Sequence, residues 1–250
     1  PGGVETVVAD VRDREQMAAA ASTAVDVFGQ IDVLVNNAGI NPAMVPIAEM
    51  TESFFDKLAA VNLKGPIRLA ALVAPRMGSH GGGSIINVTT LGAYSAGPGV
   101  GTYTGLKAAL LNFTKTMASE WISLGVRVNA LAPGPFMTEM MKGTAQHDPG
   151  FAQLSADATL MKRIADPEEI VGLTLFLASD ASSSEGGGSA RARFVGGALL
   201  RGIEKKLRNS RLFTPRPKCS QRRAQQLRGV ACRRRRRMRG APAPCTRRTG

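Results

Sequence analysis

Two residues able to exchange protons, Tyr103 and Lys107, lie four positions apart at the start of a helical pattern. Residues four apart share one face of a helix, so a phenol and an ammonium group are expected side by side. The ordinary pKa of the phenol is about 10, and a neighbouring ammonium group stabilises its phenolate. Such a pair could act as an acid or base near neutral pH, although an accidental surface pair is the alternative.

Small and amide residues follow the apolar run Ile31–Val35. Asn36, Asn37, Ala38 and Gly39 come directly after this run, which is predicted to be a buried strand. Ligands bind beyond the carboxyl ends of strands in open α/β sheets. The tetrapeptide is therefore predicted to line a ligand site, with an ordinary turn rich in Asn and Gly as the alternative.

The elements that would position these residues alternate along the chain, which predicts an α/β fold with a parallel sheet covered by helices. Strands are predicted at Thr6–Val11, Ile31–Val35, Ser84–Val88 and Val126–Leu131. Helices are predicted from the N-cap Asp13 to Phe28, over Thr51–Met77 with a break near Asn62–Pro66, over Tyr103–Leu124, and from Pro167 onward. Between Pro133 and about Lys162 an irregular segment rich in Met is expected.

Several of these residues, in the same order, resemble the short-chain dehydrogenases/reductases. The similarity covers about Thr6 to Ser183, and the matching positions are Asp10, Asn36–Gly39, Asn62, Thr90, Tyr103, Lys107, Asn129, Pro133, Gly134, Thr138, Arg163 and the runs 166–170 and 175–180. The resemblance implies a doubly wound, Rossmann-like parallel sheet. It also implies an oxidoreductase that transfers a hydride between NAD or NADP and a carbonyl or alcohol compound.

The resemblance further implies a role for each matching residue. Tyr103 would exchange a proton with the substrate oxygen, and Lys107 would lower the pKa of the tyrosine and hold the nicotinamide ribose. Thr90, where the family usually has serine, would hydrogen-bond the substrate oxygen, and Asn62 would position a water that relays protons. A strand-end residue and a helix-breaking cap are the structural alternatives for these two.

Cofactor contacts follow from the same resemblance. Asp10 would accept a hydrogen bond from the adenine amino group, Pro133 and Gly134 would flank the nicotinamide, and Thr138 would hold its carboxamide. The full set of implied cofactor contacts is Asp10, Val11, Asn36, Ala38, Gly39, Tyr103, Lys107, Pro133, Gly134 and Thr138.

Both ends of the sequence depart from the family pattern. No Gly-rich turn between a strand and a helix precedes Asp10, so the sheet is expected to be incomplete and to lack the first βαβ unit, which would bind the pyrophosphate. The family's last strand is also expected to be missing after Ser183. The residue that usually separates NAD from NADP lies in the absent unit, so both cofactors stay open, and the truncation is expected to impair activity.

Charge divides the chain into two parts. Residues 1–180 hold 12 Lys and Arg against 17 Asp and Glu, whereas residues 181–250 hold 20 against 2. We therefore expect a domain over residues 1–183 and a basic, low-complexity, disordered tail over residues 184–250. Translation in a shifted frame is one hypothesis for this tail. The alternative function is that of an inactive remnant whose tail, with Arg233–Arg237, binds nucleic acid non-specifically.

Composition also bears on location and partners. No apolar run approaches the length of a membrane span, and the first residues lack the features of a signal peptide. All three cysteines, Cys219, Cys232 and Cys245, lie in the tail without metal-ligand spacing, so no metal is expected. We expect a cytoplasmic protein with a small-molecule substrate, no membrane partner and, by resemblance, a homo-oligomeric state. The substrate stays open among a 3-oxoacyl thioester, a sugar-acid ketone and a small hydrophobic ketone.

Overall fold

The computed structural model describes residues 3–192 apart from 96, 148 and 188. Four parallel strands form one sheet in the order β1-β2-β3-β4. The strands are β1 (Val33–Asn36), β2 (Gly83–Val88), β3 (Val126–Pro133) and β4 (Ser189–Ala192). Because the strands are parallel, the segments that follow them begin at the same edge of the sheet. Most of the predicted basic tail lies outside the described residues.

Helices cover both faces of this sheet. They are α1 (Arg14–Phe28), α2 (Glu52–Ala59), α3 (Gly65–Ser79), α4 (Gly101–Trp121), α5 (Glu139–His147), α6 (Pro149–Asp157) and α7 (Val171–Ala178). Ile85 and Ile86 are adjacent in β2 and fully buried, so their side chains lie on opposite faces. Ile85 belongs to one core cluster with Val73 of α3, and Ile86 to another with Leu177 of α7. The predicted α/β class is therefore confirmed.

Helix α1 begins and ends at the predicted residues. The carboxylate of Asp13 accepts hydrogen bonds from the backbone N–H groups of Glu15 and Gln16, at 2.9 and 3.1 Å. Gly29 closes the helix with φ 84°, a left-handed conformation that glycine adopts without steric cost.

A π-helical turn, Ala60–Lys64, joins α2 to α3 at the predicted break. The chain thus stays helical from Glu52 to Ser79, and this stretch is long and apolar enough to cross a membrane by length and composition alone. Half of its most apolar window is buried inside the protein. Since Val73 and Met77 of α3 are core residues, the stretch serves here as a core helix.

No strand forms at Thr6–Val11, so this prediction is wrong. Val4 and Val8 are 92% and 98% exposed. An extended run becomes a strand only when a neighbouring strand accepts its hydrogen bonds, and no strand of the described chain pairs with this run.

A strand does follow Ser183, and the expectation that the last strand is missing is corrected accordingly. β4 pairs in parallel with β3, with Ser189 opposite Ala130 and Ala192 opposite Pro133. Strand pairing uses backbone groups, which explains why a run without β-branched residues can pair. With four strands among the described residues, the sheet is still without the first βαβ unit that the resemblance implies.

The segment after β3 is more regular than predicted, because it contains α5 and α6. Residues with good helix propensity outweigh Gly143 inside α5, and Pro149 occupies the first position of α6, where proline is tolerated.

Candidate active site

The buried cation Lys107 lies at the carboxyl end of β2. It is 2% exposed, and its Nζ donates a hydrogen bond of 2.8 Å to the carbonyl oxygen of Val88. Burial lowers the pKa of Lys107 to about 8, because the protein interior disfavours the charged form. An ammonium group is therefore held in the core beside the end of a strand.

Tyr103 lies one turn before Lys107 on α4. Nζ of Lys107 is 5.9 Å from the centroid of the Tyr103 ring, and the ring packs against a cluster that contains Leu58 and Leu106. Burial raises the pKa of the Tyr103 phenol. This effect opposes the lowering by Lys107 that the resemblance implies, and it keeps the phenol protonated near neutral pH.

Asn62 lies in the π-helical turn and is fully buried. Its Oδ1 accepts a hydrogen bond from the backbone N–H of Ile40 at 3.1 Å, and its Nδ2 donates to the carbonyl oxygens of Ile40 and Leu58 at 2.8 and 3.1 Å. The side-chain amide thus fixes the chain that follows β1. These contacts are those of a structural residue, and the water-relay role stays a prediction.

Glycine at position 39 leaves space between Asn62 and Lys107. A Cβ atom placed on Gly39 would lie 3.0 Å from Oδ1 of Asn62 and 3.4 Å from Nζ of Lys107. A side chain at position 39 would therefore fill the space beside the ammonium group. The absence of one allows a ligand to approach both the backbone and Lys107.

Asn36 turns its side chain into the protein. It is 6% exposed, and its Nδ2 donates to the carbonyl oxygen of Pro66 at 3.2 Å and to Oδ1 of Asn87 at 2.9 Å. Its side chain therefore joins β1 to β2 and to the start of α3, which leaves its backbone as the group next to a cofactor.

Asn87 and Thr114 extend this buried polar chain, and sequence reasoning missed both. Nδ2 of Asn87 donates to Oγ1 of Thr114 at 2.9 Å, and that hydroxyl donates to the carbonyl oxygen of Leu110 at 2.8 Å. These hydrogen bonds link β2 to α4, the helix that carries Tyr103. One signal was available, because Asn87 is a polar residue between the apolar Ile86 and Val88.

Thr90 lies two residues after the end of β2 and is half-buried. Its Oγ1 accepts a hydrogen bond from the backbone N–H of Gly92 at 3.2 Å and caps a short turn of 3-10 helix, Leu91–Tyr94. The preceding Thr89 donates from both its N–H and its hydroxyl to the carbonyl oxygen of Leu131, at 2.7 and 3.1 Å. Thr89 thus anchors this end of the strand, and the hydroxyl of Thr90 can still donate to a substrate.

Most of the remaining predicted residues lie at or just beyond the carboxyl ends of β1 and β3. Pro133 ends β3 and Gly134 follows it, both half-buried, whereas Ala38 and Thr138 are exposed. The hydroxyl of Thr138 accepts from the backbone N–H of Met141 at 3.4 Å, at the start of α5.

Asp10 and Val11 lie near the start of α3. The carboxylate of Asp10 pairs with the guanidinium of Arg12 at 2.5 Å, which lowers the pKa of Asp10 to about 2. The carbonyl oxygen of Val11 would lie 3.0 Å from a Cβ on Gly65, the residue before the Pro66 that Asn36 contacts. The ion pair occupies the carboxylate of Asp10, the group predicted to bind adenine.

The sequence model of the family described as Enoyl-(acyl carrier protein) reductase matches residues 1–189. The chain belongs to the short-chain dehydrogenase/reductase family. Human dehydrogenase/reductase SDR family member 4 is 36% identical over 176 residues, which are 70% of this chain and 62% of the relative. The chain thus spans less than two thirds of that relative.

Two further members of the short-chain dehydrogenase/reductase family show the same similarity. The 3-oxoacyl-(acyl-carrier-protein) reductase FabG of Thermotoga maritima is 38% identical over 184 residues, which are 73% of each chain. A 7α-hydroxysteroid dehydrogenase, solved with NADH and 7-oxo glycochenodeoxycholic acid, superimposes with a TM-score of 0.70 at 30% identity. The match covers 75% of this chain and 72% of that one. The Rossmann-like family fold is therefore shown.

Thr90 allows a direct test of its predicted role in the family's chemistry. Since that role needs only a hydroxyl, we expect Thr90→Ser to retain or raise kcat/KM. Thr90→Val keeps the shape but cannot donate, so it should lower kcat/KM by roughly 10²-fold. Steady-state kinetics with a reducible ketone compares the two variants, and equal activity in both would return Thr90 to a purely structural role.

Proposed function

We propose that the protein is an oxidoreductase that transfers a hydride between NAD or NADP and a carbonyl or alcohol compound. The observation that carries this proposal is the pair formed by half-buried Tyr103 and buried Lys107, beside the space that the missing side chain of Gly39 leaves. Family membership supports it, because the human relative is named a dehydrogenase/reductase and the steroid dehydrogenase was solved with NADH. A proton donor and a buried cation at one sheet edge suit the reduction of a carbonyl group.

The residues around Gly39 fit a nicotinamide cofactor, which supplies or accepts the hydride when bound. Lys107 and Tyr103 would hold the ribose hydroxyls, and the backbone at Asn36, Ala38 and Gly39 would line the site. Pro133, Gly134 and Thr138 would hold the nicotinamide, and Asp10 and Val11 the adenine end. Both NAD and NADP suit these residues.

Four side chains would take part in proton transfer to the substrate oxygen. The protonated phenol of Tyr103 donates its proton to the substrate oxygen, because burial keeps it in the acid form. The ammonium of Lys107 stabilises the phenolate that remains, and the hydroxyl of Thr90 donates a hydrogen bond that positions the same oxygen. A water beside Asn62 would return a proton to Tyr103 through Lys107. The protonated phenol is the form that serves carbonyl reduction, and the phenolate is the form that would serve alcohol oxidation.

A reductase assay tests the proposal. We expect the purified protein to consume NADH or NADPH in the presence of a ketone, with the alcohol identified by mass spectrometry. Binding of each cofactor is followed separately by energy transfer from Trp121, the single tryptophan of the chain. Cofactor binding without reduction of any ketone or oxidation of any alcohol would contradict the proposal.

The proposal extends to where the protein is located and whether it forms oligomers. We expect a cytoplasmic protein without a membrane partner, as for a soluble reductase. We also expect a homo-oligomer, since Phe55 of α2 and Phe113 of α4 are 40% and 42% exposed and a second copy could cover them. Size-exclusion chromatography with light scattering measures the oligomeric state.

The basic tail supports a second candidate function, non-specific nucleic-acid binding. Its support is the charge count, since residues 181–250 contain 20 Lys and Arg. Such binding weakens steeply with salt and carries no sequence preference. Loss of salt-dependent binding when residues 184–250 are removed would assign it to the tail.

A further inference from the structure

The segment between β1 and α2, residues 40–50, is fastened at both ends to elements of the site. At its start, Ile40 is held through its backbone N–H and carbonyl by Asn62. At its end, Sδ of Met50 accepts a hydrogen bond of 2.7 Å from Oγ1 of Thr102. Because Thr102 directly precedes the proposed proton donor, segment 40–50 lies beside the first turn of α4.

Two apolar side chains of segment 40–50, Met44 and Ile47, lie beside the residues that lead into α4. A Cβ atom on Gly99 would be 3.1 Å from Cβ of Met44, and one on Gly101 would be 3.0 Å from Cδ1 of Ile47. Gly101 is two residues before the proposed proton donor. These side chains therefore lie beside the start of the helix that carries Tyr103.

Both side chains are exposed although they are apolar. Met44 is 45% exposed and Ile47 is 67% exposed. Adjacent apolar side chains at the edge of a site favour a ligand that removes them from water. A compound with its carbonyl group at Tyr103 could place its apolar portion against them.

The segments that follow β1 and β2 contain almost no charge. Between Asn36 and Met50 the single charged residue is Glu49, and residues 89–106 contain no charged residue. A carboxylate or phosphate on a substrate is normally recognised by Arg or Lys. These two segments offer neither.

Three basic residues follow β3 within residues 134–163, and each is bound to another group. Nζ of Lys142 lies 2.6 Å from a carboxylate oxygen of Glu139, and Nζ of Lys162 donates to the carbonyl oxygen of Asp157 at 2.6 Å. The guanidinium of Arg163 donates to both carboxylate oxygens of Glu169, at 2.6 and 2.8 Å.

We propose that the substrate is a neutral, apolar carbonyl or alcohol compound, and that Met44 and Ile47 bind its apolar portion. This inference rests on the proposed function and narrows its substrate class. An anionic substrate would lose water near these segments without gaining a cation, which is unfavourable. Lys107 does not supply one, since the proposed function already engages its ammonium with the ribose hydroxyls and with the phenolate of Tyr103. A small hydrophobic ketone therefore fits better than a sugar-acid ketone.

Paired ketones test the inference in the purified protein. One is a cyclohexanone that carries an ethyl group, and the other carries a carboxylate in its place. We expect kcat/KM to be at least about tenfold higher for the ethyl compound. Met44→Lys and Ile47→Lys should each lower this ratio by about tenfold, because the new ammonium attracts the carboxylate and disfavours the ethyl group. Met44→Leu should keep the preference.

Ile122→Lys is the matched control. Ile122 is 58% exposed and follows α4 at the end opposite Tyr103, roughly 28 Å away along the helix axis. The ratio should not change in this variant. A preference for the carboxylate compound, or an unchanged ratio in both Met44→Lys and Ile47→Lys, would overturn the inference while leaving the oxidoreductase function intact. If NADH or NADPH binds and neither ketone is reduced, the inference is overturned. Only a lack of turnover with every ketone and alcohol would overturn the proposed function as well.

Discussion

Replacing Tyr103 with Phe is expected to lower kcat by roughly 10² to 10⁴-fold. The phenol is the proposed proton donor, and phenylalanine keeps the ring that packs against Leu58 and Leu106. The variant should therefore fold normally. Its affinity for the cofactor should fall only a few-fold, because Lys107 and the backbone at residues 36–39 would still hold the cofactor without the phenol. Steady-state kinetics with a ketone and energy transfer from Trp121 to NADH or NADPH measure the two quantities independently.

Tyr94→Phe is the matched control, because Tyr94 is the other tyrosine of the chain and is 38% exposed. It should keep most of the activity. If Tyr103→Phe also kept most of its activity, the proton donor would have to be another group. A variant that lost cofactor binding together with activity would instead assign Tyr103 a binding role.

Local signals predicted the parts of this fold that depend on neighbouring residues. Asp13 and Gly29 set the ends of α1 through a cap and a left-handed turn, both of which involve residues close in sequence. Tyr103 and Lys107 share a helix face because of their spacing alone. The position of Gly39 just beyond a strand was predicted in the same way, from the apolar run Ile31–Val35 and the small residues that follow it.

Contacts between distant residues were not predictable in the same way. Asn62 binds Ile40 across 22 positions, and Lys107 binds the carbonyl of Val88 across 19. A backbone carbonyl leaves no trace in the sequence, so the second contact has no signal at all. Backbone pairing also explains the two errors in the predicted strands. β4 forms because its backbone groups pair with β3. Thr6–Val11 forms no strand because this run has no partner strand in the described chain.

The buried polar groups show why function and stability oppose each other at this site. Lys107 is held charged at neutral pH although burial lowers its pKa from 10.5 to about 8. The folded protein therefore binds its proton less tightly than the unfolded chain does. A residue retained at such a cost is expected to serve the chemistry rather than the fold.

Replacing Lys107 with Met should abolish most activity while removing this cost. Methionine has a similar length and no charge, so kcat should fall by roughly 10²-fold or more, since the phenolate of Tyr103 loses its stabilising ammonium. Below pH 8 both states of the natural protein are protonated and the full penalty is present. Between pH 8 and 10.5 the unfolded chain holds more protons than the folded protein, so stability rises with pH in this window.

Urea unfolding of the natural protein and of Lys107→Met at pH 7 and pH 10 measures this linkage. The free energy of unfolding of the natural protein, relative to the variant, should increase by about 2 kcal/mol between the two pH values. Lys115→Met, an exposed lysine of the same helix, is the control and should show no such change. A pH-independent difference for Lys107→Met would mean that the buried ammonium carries no desolvation penalty, and the stability cost assigned to it would be wrong.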